Sequence, residues 1–242
     1  MKRPALLCFD LDGCLVRSDE AIADALNHAL AAIGARERSA ADLRSSIGPP
    51  LVENLTRLLA EDGVDVATGD GPALLARGVT AYRSRYAEVG FAMTEPYPGI
   101  VAALDALDAV GAPRVVVTAK PTEVAAALVE RVGLTRRFAA VHGTPGGVAV
   151  EEKRVTLAAV LRDRAVDPAA AVMIGDREHD VRAGRACGTA TVGVLWGAGS
   201  ADELTAAGAE VLVATPPELP GAVAEVPPTR DPRRAGPGGH GT

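Results

Sequence analysis

The stretch Ala5-Leu6-Leu7-Cys8-Phe9-Asp10-Leu11-Asp12-Gly13 sets the frame for the whole chain. Five apolar residues closed by an acidic turn are the pattern of a short strand buried on both faces, as in a parallel sheet. The pattern recurs at Arg114–Thr118, Ala139–His142, Ala171–Ile174 and Thr189–Leu195, with a weaker copy at Val211–Val213. Helical periodicity fills the gaps at Ile100–Val110, Thr122–Val132, Arg154–Arg164, His179–Cys187 and Ala201–Ala207. Ser200 with Glu203 predicts a capping box for the last of these. Short strands alternating with helices predict an α/β fold, a parallel sheet covered on both faces.

The first strand breaks this rhythm. About 100 residues separate Phe9 from the strand at Arg114, and most of them read as helix. Ala21–Ile33, Leu51–Glu61 and Leu74–Glu88 are amphipathic, with breaks at Gly34, Gly48-Pro49-Pro50, Gly63 and Gly69-Asp70-Gly71-Pro72. Residues 17–92 are therefore expected to form a helical insert, residues 1–16 and 93–226 the α/β core, and residues 227–242, which lack large apolar side chains, a disordered tail.

Bulk properties narrow the functional classes. The 242 residues are 48% hydrophobic and carry a net charge of −6, which argues against nucleic acid as the main partner. No apolar run reaches the ~20 residues needed to cross a bilayer, and Asp10 and Asp12 interrupt the apolar start, so no signal peptide or membrane partner is expected. Cys8, Cys14 and Cys187 lack zinc-type spacing and read as free thiols in a reducing cytoplasm. Aromatic residues make up 3% of the chain, which argues against a pocket built on base stacking. Of the 25 basic residues only Lys2, Lys120 and Lys153 are lysine, leaving 22 arginines, so an interior lysine is a rare choice in this composition.

In open parallel sheets, ligands bind beyond the carboxyl ends of the strands. Polar signals collect at those ends. The first strand runs into Asp10-Leu11-Asp12-Gly13. The second ends at Thr118, followed by Ala119 and Lys120. The fourth runs into Gly175-Asp176-Arg177-Glu178-His179-Asp180, and Lys153 opens the preceding helix. Two carboxylates two residues apart on a strand end, joined by Asp176, form a costly cluster of like charge unless a cation intervenes. Hard oxygen ligands in that number suit Mg²⁺. Thr118 and nearby amides can bind a phosphate with Lys153 as a fixed cation. Asp10 can then act as a nucleophile, and Asp12 can exchange protons with the leaving oxygen and with water.

Each piece alone has an ordinary reading: Asp-x-Asp-Gly as a solvated turn, Thr118 as a strand-end cap, Lys153 beside Glu151 and Glu152 as a helix start. The combination is more specific. Phe9-Asp10-Leu11-Asp12-Gly13-Cys14-Leu15-Val16, then Val117-Thr118-Ala119-Lys120-Pro121, then Lys153, then Ile174 through Asp180, resembles the haloacid dehalogenase-like hydrolase superfamily. More narrowly, it is similar to the phosphoglycolate phosphatase-type branch, with Ile47-Gly48-Pro49-Pro50-Leu51 in the insert and Tyr97-Pro98-Gly99-Ile100 on re-entry.

The resemblance implies a Rossmann-like core with a helical cap inserted after the first strand. It implies Asp10 as nucleophile and metal ligand, Asp12 as acid and base with its carbonyl on Mg²⁺, Asp176 as third ligand and Asp180 behind the metal. Thr118 and Lys153 would hold the phosphate. Gly13, Gly48, Ala119, Lys120 and Arg177 are candidate substrate-binding residues. Cys14 stands where the family usually has threonine, and Arg17 where an acidic residue is common.

The activity expected is hydrolysis of a small phosphorylated metabolite in the cytoplasm by a monomer or homodimer. The alternatives are a phosphomutase, which would shield the same phosphoenzyme from water, and a receiver-like module phosphorylated on aspartate. Receivers place the phosphoacceptor on a later strand and lack a cap.

Overall fold

The computed structural model describes residues 3–145 and 153–226, so the expected tail and Glu151 and Glu152 lie outside the described residues. Six strands form one parallel sheet in the order β5-β4-β1-β6-β7-β8. They are β1 (Leu6–Phe9), β4 (Arg114–Pro121), β5 (Ala140–Thr144), β6 (Ala171–Gly175), β7 (Ala190–Val194) and β8 (Val211–Val213). The α/β class and the parallel sheet follow the sequence reading.

The strands alternate between two apolar layers. Leu7 and Phe9 join Val116, Val172 and Ile174 on one face, while Leu6 and Cys8 join Val115, Val117 and Met173 on the other. That period of two explains why β1 is apolar at every position: each side chain has a covered face to enter. All four β1 side chains are fully buried, each stabilising the fold by about 1.5–3 kcal/mol if large. β1 is central, and the strand order reverses there, so its carboxyl end lies at the crevice where such sheets bind ligands.

The chain leaves the core through β2 (Val16–Arg17) and returns through β3 (Glu95–Pro96), which pair antiparallel. Between them run α1 (Asp19–Ala32), α2 (Ala40–Leu43), α3 (Leu51–Glu61) and α4 (Gly71–Arg85). Ala21, Ala25, Leu26, Ala29 and Leu30 bury one stripe of α1 against Leu55 and Leu58 of α3 and Val79 of α4, in an apolar cluster separate from those of the sheet. Asp19 and Glu20 occupy the first turn of α1, where the helix dipole favours them.

The remaining core helices are α5 (Ile100–Ala106), α6 (Thr122–Arg131), α7 (Lys153–Asp163), α8 (Glu178–Cys187), α9 (Ala201–Ala207) and α10 (Leu219–Glu225). No described helix is long and apolar enough to cross a membrane.

Three expectations change, and four short elements are new. The helix expected over Leu74–Glu88 starts at Gly71, because Pro72 is tolerated in a first turn, and relaxes into a π-helical turn over Tyr86–Gly90. The strand expected to end at Thr118 continues to Pro121 after a register shift beyond Val117. The β2–β3 ribbon and the short helices α2 and α10 carry too few residues to show a period. The capping box at Ser200 is half made: Ser200 Oγ accepts from Glu203 N at 3.1 Å, but the Glu203 carboxylate instead accepts from Arg177 Nε and Glu178 N.

Candidate active site

Just past β1 the chain turns, with Asp10 N donating to Ile174 O of β6 at 2.8 Å. The turn separates the two aspartates. Asp10 faces the β6 side, where its carboxylate, that of Asp176 and that of Asp180 approach within 4.8 Å of one another. Asp12 faces the β4 side: its Oδ1 accepts from Ser18 Oγ at 2.6 Å and its Oδ2 pairs with Lys120 Nζ at 2.8 Å. Two carboxylates two residues apart would face one way on an extended strand, and the chain here is not extended.

Lys153, the first residue of α7, places its ammonium 2.7 Å from Asp10 Oδ1 and 2.5 Å from Asp180 Oδ1. Burial works against that charge, but Asp10 and Asp180 outweigh it and hold the lysine's pKa above its ordinary value. Asp180 Oδ2 accepts from Arg177 N at 3.0 Å, and Asp176 Oδ2 accepts from Ala198 N at 2.7 Å.

Three buried carboxylates thus cluster beside one buried ammonium, which pairs with Asp10 and Asp180. The consequence is visible in their acidities. Burial, with Asp180 and Asp12 adding to it, pushes Asp10 up to about 7 against the pull of Lys153. Burial and the neighbouring Asp180 and Asp10 raise Asp176 well above its ordinary value. Asp10 Oδ2 and Asp176 Oδ1 are buried without a hydrogen-bond partner. The orphaned Asp176 oxygen, in a site where three carboxylates leave excess negative charge, is a donor that a hard divalent cation satisfies, so the residues fit Mg²⁺.

Glycines shape this seat. Gly13 lies at φ +86°, and a Cβ there would sit 2.3 Å from Asp176 Oδ2. A Cβ on Gly197 would meet the same oxygen at 2.3 Å. Both backbones press against a carboxylate with no room between.

A cleft of about 240 Å³ opens from Asp10 and Asp12 between the sheet and the helical insert. Thr118, Ala119 and Lys120 line its core side, and Gly48 and the residues after it line the insert side. Thr118 Oγ1 accepts from Lys120 N at 3.2 Å, and the Lys120 ammonium also lies 4.6 Å above the Tyr86 ring.

Two candidate binding residues fall elsewhere. Gly13 does not line this cleft; it backs Asp176. Arg177 does not line it either. Its guanidinium donates to the Ile47 carbonyl at 2.5 Å and to Ser45 O at 3.3 Å, steered by Glu203 at 2.8 Å. The alternation after β6 turns Arg177 away from Asp176, toward the insert. Arg85 pairs with Asp24 at 2.6 Å, and Arg17 pairs with Glu95 across the β2–β3 ribbon. Arg44 donates to Gly197 O at 2.7 Å. Cys14 is a packed thiol near Ile174 O, its pKa raised by burial.

Sequence reasoning missed Ser18, the Gly197-Ala198 turn and three cleft aromatics, Tyr82, Tyr86 and Phe91. The turn had a signal: Gly197-Ala198-Gly199 follows the carboxyl end of β7, where the same strand-end rule applies. Composition gave no sign that the aromatics converge. Three of the chain's seven aromatic residues (three Phe, three Tyr, one Trp) line this one cleft.

The profile of the haloacid dehalogenase-like hydrolases matches residues 7–194. Over 199 residues the chain is 32% identical to the tyrosine-protein kinase PtkA of Mycobacterium tuberculosis, covering 82% of this chain and 65% of that protein. It therefore spans just under two-thirds of that relative's length. It is 32% identical over 193 residues to the phosphoglycolate phosphatase of Agrobacterium fabrum, covering 79% and 81% of the two chains. The crystal structure of a predicted phosphatase from Clostridium acetobutylicum matches with a TM-score of 0.83 at 27% identity, covering 93% of this chain and all of that one. The chain belongs to the haloacid dehalogenase-like hydrolase family. Within the family, its similarity runs to the phosphoglycolate phosphatase-type branch.

Proposed function

We propose that the protein is a Mg²⁺-dependent phosphatase that hydrolyses a small phosphate monoester through an aspartyl-phosphate on Asp10. The observation that carries this reading is the state of the Asp10 carboxylate. One oxygen is fixed by Lys153 at 2.7 Å, and the other is buried, unpartnered and at the end of a cleft. An oriented carboxylate with one free oxygen is a nucleophile held for attack.

Asp10 and Asp176, with the Asp12 main-chain carbonyl, would hold the cation, with Asp180 behind them. The cation supplies positive charge that lets an anionic phosphate approach an anionic nucleophile. Asp10 Oδ2 forms the new bond to phosphorus as the bond to the alcohol oxygen breaks. Asp12, on the cleft side, gives that oxygen its proton and then takes one from the water that hydrolyses the acyl phosphate. Thr118 and the amides that follow it stabilise the phosphoryl oxygens, and Lys120 and Lys153 contribute charge. The insert, about residues 17–92, acts as a cap that excludes water from the reacting centre.

The test is release of inorganic phosphate from p-nitrophenyl phosphate with Mg²⁺ and with EDTA, for the wild type and Asp10→Asn. The variant keeps size and loses the attacking charge, so activity should fall by several orders of magnitude. A tenth of the activity surviving in Asp10→Asn, or full activity in EDTA, would sink the reading. Transfer to a second hydroxyl, as in a mutase or a kinase, would consume substrate without releasing inorganic phosphate.

A further inference from the structure

We propose that the alcohol portion of the substrate is apolar and about the size of one ring or a branched alkyl group, an inference that rests on the phosphatase reading above. The insert's share of the cleft lining includes Leu26, Pro50, Leu51, Val52, Tyr82 and Phe91. An aromatic-poor chain has placed three of its seven rings here, and Tyr82 and Tyr86 stack at 5.7 Å with their planes 15° apart. Such walls gain free energy by removing apolar surface from water and offer ring faces and edges to a partner.

Several polar groups on the lining are already used, while the buried Tyr86 hydroxyl has no partner. Asn54 Nδ2 donates to Ser46 O at 2.7 Å and Pro49 O at 3.2 Å, which shapes the loop before α3. Ser46 Oγ accepts from Arg57 Nη2 at 2.8 Å. Lys120 is paired with Asp12 and covers Tyr86. A sugar or glycerol moiety would bury hydroxyls against these walls with few partners, at about 1–3 kcal/mol for each one left unsatisfied. The volume, about 240 Å³, lies just below the small-molecule range of ~300 Å³ and upward, which limits the group beyond the phosphate to modest size. Arg83 is the one charged residue on the insert's share of the lining, and it is exposed at the rim.

Hydrolysis breaks the P–O bond to this alcohol, which leaves with the proton from Asp12, so the product is a neutral apolar alcohol.

The experiment compares kcat/KM for benzyl phosphate and 3-methylbutyl phosphate with that for 2-phosphoglycolate, glycerol 1-phosphate and uridine 5′-monophosphate. We expect the apolar esters to lead by about 10- to 100-fold, the range one hydrophobic pocket can supply. Val52→Asn should erase most of that lead. Binding of benzylphosphonate against phosphonoacetate to the wild-type protein, by calorimetry, reads the same preference without catalysis or a variant. Asp10-dependent hydrolysis that favours phosphoglycolate, glycerol phosphate or the nucleotide overturns this inference and leaves the phosphatase reading standing. Absence of Asp10-dependent hydrolysis overturns the phosphatase reading, and with it this inference about a substrate. Equal or weaker binding of benzylphosphonate overturns the apolar cleft.

Discussion

Arg44 and Arg177 cross the same gap in opposite directions. Arg44, from the insert, donates to the carbonyl of Gly197 in the core, and Arg177, from the core, donates to the carbonyl of Ile47 in the insert. Both land on backbone next to functional groups: Ala198 N holds Asp176, and Gly48 lines the cleft. The pair fastens the insert over the strand ends while leaving the cleft residues untouched.

Removing either arm should therefore loosen closure rather than chemistry. A hydrogen bond from a charged donor contributes about 1.5–3 kcal/mol, which corresponds to roughly a 10- to 100-fold loss in kcat/KM. Arg177→Ala and Arg44→Ala are each expected to show that loss, mainly through KM, and to add less than independently when combined. Hydrogen exchange at residues 45–50 should speed up in both. Unchanged exchange there would show that the insert is held by other contacts.

The acidity of Asp10 sets a pH dependence for the metal-free protein. Its pKa rises from 3.8 unfolded to about 7 folded, so the folded state binds the extra proton between those values. Stability contributed by that proton is complete below about pH 4 and is lost as pH climbs through 7, with Asp176 shifting in the same direction. The metal-free protein should therefore melt several degrees lower at pH 7.5 than at pH 5, and Mg²⁺ should restore the difference. Asp10→Asn should flatten this slope and melt higher than the wild type at pH 7.5 without metal. A wild-type melting temperature that rises over this interval contradicts the charge imbalance argued for the site.

Gly197→Ala tests the seat of Asp176. The new methyl would arrive 2.3 Å from Asp176 Oδ2, so the carboxylate or the turn must move. Disturbing the groups that orient a metal ligand commonly costs 10- to 100-fold in metal affinity, and a loss of that size is expected for Mg²⁺ by calorimetry. An unchanged dissociation constant would mean that Asp176 is free to shift.

Asp12→Asn separates proton transfer from metal binding. The Asp12 carboxylate lies on the Lys120 side, outside the cluster of Asp10, Asp176 and Asp180, so Mg²⁺ affinity should change by less than about 10-fold. Formation of the phosphoenzyme should drop steeply for alkyl phosphates and much less for p-nitrophenyl phosphate, whose leaving group needs no proton. Equal losses across leaving groups in single-turnover measurements would remove Asp12 from the acid role.

The parts that were legible in the sequence are those where local pattern and tertiary environment agree. β1 is apolar throughout because both its faces are covered, and the strand-end rule then located Asp10, Thr118 and Asp176 from three separate segments. Lys153 was found through composition, since a rare residue in the interior of an arginine-rich chain is informative. What stayed hidden depends on direction. Arg177 follows Asp176, and only the backbone after β6 shows that its side chain leaves the site for Ile47. Ser18 reaches Asp12 because the chain folds back after β1, a turn that no periodicity announces. The aromatic wall stayed hidden because a fraction of 3% says how many rings exist and not that Tyr82, Tyr86 and Phe91 converge.

The separation between the glycine-walled carboxylate and the apolar walls of the cleft divides the protein into two mutational regimes. Around Asp176, Gly13 and Gly197 leave no space for even one added carbon, so drift there should be silenced at once. Across the gap, Leu51, Val52 and Phe91 sit half-buried on elements of the insert, where exchange of one apolar side chain for another of similar volume usually costs under 1.5 kcal/mol. A randomised library confined to those wall positions should consequently yield folded, phosphate-cleaving descendants with new alcohol preferences at high frequency, whereas one centred on the glycines should yield almost none. The scaffold holds its chemistry fixed and leaves its diet open to selection.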